Sequence, residues 1–292
     1  MDLSIIIVSW NVENLLRKNL KAIFKNSSNI SFEIFVVDNA SKDGTAEMIK
    51  TEFPQVKLIV NERNFGFAKA NNEAIRYASG RYVLLLNPDM RVLPDTLENM
   101  VSWMDNHQEA GIAGCRLIKE NGKTIPHVRK FPTLFDQLAV VLKLPYIFPT
   151  ILNKYLMNDF DYLKEAEVDS IRGSFFTIRN EVIEKIGELD ERFFIWFEEV
   201  DYCKRARAAG FKIFYTPAAK CVDYVGKSFS QVPRGKTQKY FRDSMLKYFK
   251  KWHSGLSYWI LKIAWPFGIL LAMIFGGLKN DKTDLKLVKK YG

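Results

Sequence analysis

Apolar runs alternate with helical spacings through the first 120 or so residues. Leu3–Val8 reads as a buried strand. Asn11 can cap a following helix, and Leu15, Leu16, Leu20, Ile23 and Phe24 fall on one face of it. Phe32–Val37 predicts a second strand ending at Asp38, and "ASKDGT" is turn and capping chemistry before a short helix to about Phe53. Lys57–Val60, Tyr82–Leu86 and Ile112–Leu117 predict further strands, with helices over Ala68–Ala78 and Pro94–His107 between them. This alternation predicts an α/β fold, a doubly wound, mostly parallel sheet with helices on both faces.

The pattern breaks over residues 119–167, apart from an amphipathic stretch near Leu134–Leu144. It returns with "VDSIRGSFFTIRN", which predicts two strand pieces around Gly173, then a helix to Gly187. A helix over Glu199–Ala209, short strands at Phe211–Tyr215 and Cys221–Tyr224, and a basic, aromatic helix at Lys236–Trp252 follow. Leu256–Leu278 is strongly apolar. There are no repeats or Gly/Ser linkers, so the expected organisation is one catalytic domain over residues 1–233 and a C-terminal basic/apolar helical attachment over 234–292.

Composition narrows the function class. With 48% hydrophobic and 26% charged residues the 292-residue chain is globular. Its formal charge of +10 favours anionic partners such as phosphates or an anionic membrane surface. The excess is concentrated: Arg234, Lys236, Lys239, Arg242, Lys247, Lys250 and Lys251 stand against Asp243 alone. This run lies beside an apolar segment rather than among base-stacking motifs, which disfavours a nucleic-acid partner. Cys115, Cys203 and Cys221 read as reduced core thiols. "MDLSIIIVSW" reads as a first strand rather than a signal peptide, which places the chemistry in the cytoplasm.

Two strands end in an acid at the same sheet edge: Asp38 after "FEIFVV" and Asp89 after "YVLLLNP". That edge is where open α/β sheets bind ligands. Taken singly, such acids are turn formers or helix caps, and Asp43 has that character. Together they suit a hard cation, Mg²⁺ or Mn²⁺, which takes one or two carboxylates plus phosphate oxygens. "NERNFGFAKANN" adds a Gly-containing loop entering a helix, a phosphate-favouring position that Arg63 and Lys69 could supplement. In "FFIWFEEVDYCKRARAAG", acids in a helix's first turn favour its dipole. The aromatics beside them would raise a carboxyl pKa toward that of a general base and offer a platform for a sugar ring.

The motifs "SIIIVSWN", "VVDNASKDGT", "NFGFAKANN", "YVLLLNPD", "RGSFFTIRN", "FFIWFEEVDYCKRARAAG", "YTPAA" and "GKS" occur in order over roughly residues 3–250. In this the chain resembles glycosyltransferase family 2, with the GT-A fold, and especially its bacterial rhamnosyltransferase-type members that build cell-surface polysaccharides. The resemblance implies an inverting transfer of a sugar, rhamnose favoured, from a dTDP- or UDP-linked donor to a lipid-linked or polysaccharide acceptor. It implies that Asp38 contacts the base or ribose, and that Asn11, Asn64, Gly66, Lys69 and Asn87 border the donor. Asn87-Pro88-Asp89 stands where the family has its Asp-x-Asp motif, so Asp89 would ligate the metal. Glu199 falls at the family's catalytic aspartate, and either Glu198 or Glu199 would be the base. Trp196, Phe197 and Asp201 would form the acceptor and sugar platform. Where the family usually has a histidine metal ligand, this chain has Asp223.

The apolar C-terminal segment is interrupted by Lys262 and Pro266 and is basic on both flanks, including Lys279, Lys282, Lys286, Lys289 and Lys290. This favours a re-entrant or in-plane helix at the cytoplasmic face of the membrane, with Tyr258, Trp259 and Trp265 at the interface. The alternative is a core or dimer helix. Two alternative functions remain: a non-catalytic nucleotide-sugar-binding relic, and a sugar-phosphate nucleotidylyltransferase, disfavoured because "SIIIVSWNVEN" lacks glycine.

Overall fold

The computed structural model describes residues 1–224 and 231–278. The "GKS" motif and the lysines after Leu278 lie outside the described residues. The first half runs β1 (Leu3–Ser9), α1 (Glu13–Asn26), β2 (Phe32–Asp38), α2 (Thr45–Glu52), β3 (Lys57–Val60), α3 (Phe67–Ile75), β4 (Tyr82–Leu86), β5 (Met90–Val92), α4 (Thr96–Asn106) and β6 (Ala110–Ile118). Then come α5 (Leu134–Val141), α6 (Asn153–Leu156), β7 (Ala166–Glu167), β8 (Phe175–Arg179), α7 (Asn180–Ile186), α8 (Glu198–Ala208), β9 (Lys212–Asp223), α9 (Arg234–Trp252) and α10 (Gly255–Leu278).

The strands form one sheet in the order β3-β2-β1-β4-β8-β6-β9-β5, with β7 also on β9. The first four neighbours are parallel, as the alternation predicts. Its two faces follow from the pleat. On β1, Leu3, Ile5 and Ile7 join one core with residues of α1, α2 and α4, while Ile6 joins the other with residues of α3, α7 and α8. A parallel strand buried on both sides therefore needs an apolar residue at nearly every position, and β4 is buried throughout.

Three details differ from the sequence reading. Only the second half of "VDSIRGSFFTIRN" is a strand: β8 enters antiparallel between β4 and β6, and before Gly173 only Ser170 bridges, to Arg129. The two short strands expected around Pro217 are one, β9. Gly114 pairs with Tyr215 but Arg116 with Lys220, so residues 216–219 bulge, and a bulge is where a strand tolerates proline. The three-residue β5, too short to show a period, pairs antiparallel with the end of β9.

A third core joins α5 and α6 to Phe193 and Phe197, to Phe241, Met245, Tyr248 and Phe249 of α9, and to Leu261 of α10. The C-terminal helices thus share a core with the segment that precedes α8.

At the sheet's other edge Glu33 ties β1, β2, β3 and the turn before β4. It accepts hydrogen bonds from Ser4 Oγ (2.6 Å), Lys57 Nζ (2.6 Å) and the Ser79 N–H (2.8 Å). Burial alone pushes this carboxyl up; the bonds from Lys57, Ser4 and Ser79 outweigh it and hold the pKa down at about 2, against an ordinary 4.5. A depressed pKa contributes stability that is present above 4.5 and lost as pH falls through 2. Glu33→Gln should lower stability by about 2–3 kcal/mol in urea unfolding at pH 7. Its deficit against wild type should shrink as pH falls from 4.5 toward 2; a deficit constant with pH would show that the charge plays no part.

Candidate active site

A cavity of about 480 Å³ opens at the carboxyl edge of the parallel strands. Its walls come from the ends of β1, β2 and β4, the loop before α3, the residues either side of Gly173, the start of α8, the end of β9 and the first turns of α9.

The β2 end is a polar scaffold. Asp38 is buried, accepts from the Ser41 N–H at 3.3 Å, and has a pKa raised by burial. Its neighbour Asn39, not Asp38, lines the cavity. Asn39 Nδ2 donates to Asn64 Oδ1 (3.2 Å) and the Gly66 carbonyl (3.1 Å), and its Oδ1 accepts from Asn61 Nδ2 (3.0 Å). Asn64 and Gly66 are thereby fixed in the wall as expected. Gly66 has φ +89°, and a Cβ there would lie 2.4 Å from the Phe194 carbonyl oxygen, so glycine is required. Asn11 holds the Ser41–Lys42 turn, with its Oδ1 accepting from the Lys42 N–H at 2.7 Å. Asp43 is a cap: it accepts from the Glu13 N–H at 2.9 Å and Thr45 Oγ1 at 2.6 Å. Lys69 and Arg63 lie over the Phe65 ring, at 4.2 and 5.0 Å from its centroid, and neither lines the cavity.

Asn87 lines the floor, held by its N–H to the Ser174 carbonyl (2.9 Å). Asp89 is buried. The pairing of β5 with β9 sets Met90 opposite Asp223, and the Tyr224 N–H donates to the Asp89 carbonyl at 3.1 Å, so Asp89, just before β5, and Asp223, the last residue of β9, lie at one edge. Among the described residues no three His, Cys, Asp or Glu cluster as ligands. Asp223 lines the cavity, whereas the expected metal ligand Asp89 is buried and does not; a hard cation at this edge would take carboxylates of this kind together with phosphate oxygens. Arg172 Nη1 stands 3.5 Å from Asp223 Oδ2 and would share that carboxylate with a cation.

Glu198 and Glu199 open α8 and both line the cavity. Burial raises both carboxyls. Glu198 is raised furthest, by burial and then by the repulsion of Glu199, while Arg172 and Arg129 partly offset the rise at Glu199. Glu198 Oε2, Glu199 Oε2 and Ser174 Oγ are buried with no hydrogen-bond partner among the described residues. Three such atoms around one cavity are what a polar ligand would satisfy.

The entry to α8 is strained. Trp196 (φ 65°) and Phe197 (φ 68°) are consecutive left-handed non-glycine residues. Trp196 lines the cavity, as expected of a platform. Phe197 and Asp201 do not. Phe197 turns into the third core against Phe241 and Tyr248, because its left-handed backbone points it away from the cavity. Asp201, one helical turn into α8, is fully buried against Lys251 (2.7 Å), Arg205 (3.1 Å) and Trp252 Nε1 (2.7 Å). Helix α9 grips the same loop again through Ser244 Oγ to the Ile195 carbonyl at 2.8 Å.

Sequence reasoning passed over Trp10, Asn39, Arg172, Lys236 and Tyr240, all in the wall. Trp10, Asn39 and Arg172 sit inside the quoted motifs. Tyr240, stacked on Phe194 at 4.4 Å, and Lys236 come from a helix assigned to an attachment, and no local pattern brings them here.

A family model described as Glycosyl transferase family 2 matches residues 4–187. The chain belongs to glycosyltransferase family 2. It is 28% identical over 230 residues to the rhamnosyltransferase WbbL of Escherichia coli (strain K12), covering 75% of this chain and 82% of that protein. It is 23% identical over 273 residues to the N-acetylglucosaminyl-diphospho-decaprenol L-rhamnosyltransferase of Mycobacterium tuberculosis, covering 88% of each. Among solved structures it is similar to the mannosyltransferase PcManGT from Pyrobaculum calidifontis in complex with GDP-Man and Mn²⁺. The TM-score there is 0.59 at 18% identity, over 98% of this chain and 78% of that one. At that identity the likeness bears on fold alone, and the fold is GT-A.

Removing Asp201 would leave Lys251, Arg205 and the Trp252 N–H without their shared acceptor. Asp201→Ala should cost about 3–5 kcal/mol, read as a fall in the thermal midpoint. A loss below 1 kcal/mol or so, the level of an exposed pair, would show that the network does not hold α8 to α9.

Proposed function

We propose that this family 2 enzyme is an inverting, metal-dependent rhamnosyltransferase. On this reading it moves a sugar from a dTDP- or UDP-linked donor to a lipid-linked acceptor at the cytoplasmic face of a membrane. The observation that carries the reading is the pair of buried carboxylates, with orphaned oxygens, facing a cavity at the carboxyl edge of the sheet. The two rhamnosyltransferase relatives, one named for a diphospho-decaprenol acceptor, support the sugar and the acceptor class. The Mn²⁺ in PcManGT's structure supports a divalent cation.

The chemistry follows from the walls. Asn39, Asn64 and Gly66 would seat the nucleotide end of the donor, and a cation held by Asp89 and Asp223 would neutralise the leaving diphosphate. Trp196, Phe194, Tyr240 and Trp10, which line the cavity, would enclose the sugar end. Glu199 is the base. Two adjacent buried carboxyls do not ionise together, and Arg172 and Arg129 favour the charge on Glu199 while Glu198 keeps its proton. Glu199 takes the acceptor hydroxyl's proton as the oxygen attacks C1 from the face opposite the diphosphate, and that single displacement inverts the anomeric centre.

Titration calorimetry with dTDP, UDP and GDP, each with and without Mn²⁺ or Mg²⁺, tests the donor side. One nucleotide should bind in a metal-dependent way, and Asp89→Ala should abolish it. Failure of every nucleotide with either metal would overturn the transferase reading in favour of a relic. On the acceptor side, Glu199→Gln should lower kcat about 10²–10⁴-fold while leaving donor binding intact. Because the base works ionised and its pKa is raised, activity should climb with pH through a value above 4.5. Arg172→Met should move that limb to higher pH. A limb that stays put in this variant would remove Arg172 from the role.

A further inference from the structure

Helix α10 presents two faces of one apolar sequence. Its inner face is committed to protein. Leu261 is fully buried in the third core, and Gly268 meets α5 so closely that a Cβ would lie 2.3 Å from the Val141 carbonyl oxygen. Trp265, expected at a membrane interface, is turned partly inward, with the Arg242 guanidinium 5.9 Å from its ring centroid. Among the described residues its outer face is unpartnered. Leu256, Trp259, Ile263, Phe267 and Leu270 recur every three or four residues, and each is more than half exposed. Apart from the Trp259 indole N–H, these five side chains hold no hydrogen-bonding group.

Charge accompanies the stripe. Lys262 is exposed at its edge, its Nζ 4.6 Å from the Trp259 ring centroid and 5.7 Å from that of Tyr258. An ammonium carried on a stem along apolar surface is the geometry of a lysine at a lipid headgroup. On α9, Lys239, Lys247 and Lys250 are exposed, and Asp243 is the helix's single acid. Among the described residues no helix is long and apolar enough to cross a membrane.

We infer that the outer stripe of α10 docks in the plane of an anionic lipid bilayer and thereby sets the mouth of the catalytic cavity at the lipid surface. The second half of the inference follows from the helix pairing. Trp265, Gly268 and Ile269 share a small crevice with Gln238 and Phe241, so α10 folds back along the start of α9. Lys236 and Tyr240, on those same turns of α9, line the cavity. The bodies of α10 and α9, each about 10 Å across, therefore lie between the lipid-facing stripe and the site. An acceptor whose tail stays in the bilayer could place its diphosphate near Lys236. This purpose rests on the reading proposed above; the docking itself does not.

The test uses the full chain and vesicles of equal parts phosphatidylcholine and phosphatidylglycerol, read by co-sedimentation. The wild type should sediment with them, less so at high salt, and less with phosphatidylcholine alone. The exposed-site variant W259S/I263S/F267S should keep the wild-type thermal midpoint and nucleotide affinity. It should lose vesicle binding by roughly tenfold or more, since each buried large apolar side chain contributes about that factor. Sedimentation of the variant equal to wild type, or none by either protein, overturns the inference. So does a wild-type dimer in light scattering without lipid that the variant converts to monomer, because a second copy would then cover the stripe. Absence of nucleotide binding with vesicle binding intact would sink the transferase reading and leave the docking surface standing.

Discussion

Two carboxyls, the buried Glu198 and the half-buried Glu199, stand in succession at the start of one helix, and most of the surrounding structure answers to that constraint. Bare, they would repel each other and resist burial. The helix N-terminus offers them a favourable dipole. Arg172 and Arg129 add positive charge on the side of Glu199. The position also has to be held against relaxation. The strained turn at Trp196 and Phe197 aims the acids at the cavity, and such strain persists only where neighbours over-determine it. Those neighbours come from α9: Phe241 and Tyr248 on Phe197, Ser244 on the Ile195 carbonyl, Lys251 and Trp252 on Asp201.

Helix α9 is therefore part of the site rather than an appendage. One of its ends walls the cavity through Lys236 and Tyr240, its middle holds the strained turn, and its last turn locks Asp201. The expected boundary at residue 233 falls where the chain enters this helix, although its side chains share a core with Phe193 and Phe197 and with residues of α5 and α6. Composition marked the segment as distinct because it is basic and aromatic. What composition could not show is that the aromatics, at helical spacing, fill the space behind Phe193 and Phe197.

The parallel half of the sheet was legible because a strand buried on both faces must be apolar at successive positions, as Tyr82–Leu86 is. A parallel sheet does send Asp38 and Asp89 to one edge, but both are buried there and it is their neighbours Asn39, Asn87 and Pro88 that line the cavity. The start of α8 was legible from dipole chemistry, whereas the cap expected of Asn11 is not made: α1 begins after Val12, and the Asn11 Oδ1 accepts from the Lys42 N–H instead. The failures have physical causes as well. Asp201 and Phe197 sit within a few residues of the acid pair, but a helix turns 100° per residue, and two left-handed residues reverse the direction of Phe197. Spacing on paper does not carry those rotations. Lys69 is placed in the phosphate-binding turn by sequence, yet the Phe65 ring takes its ammonium. Arg172 lies within a motif and Lys236 within a basic run, but only the fold brings them into one wall with the acids.

Their placement bears on why a cation belongs in this site. Glu198, Glu199 and Asp223 all face the cavity, against Arg172 and Lys236. Burial and Glu199 push the Glu198 carboxyl toward its neutral form, and Arg172 stands between Asp223 and Glu199. A diphosphate entering such a site gains little from the walls, and Asp89 at the same edge opposes it. On the proposed reading, Asp89 and Asp223 would hold a divalent ion that supplies positive charge for the diphosphate, and Arg172 would then be left to Glu199. An aspartate suits this exchange better than a histidine would: it carries a full charge of its own, so it can hold the arginine when no cation is bound and give it up when one is.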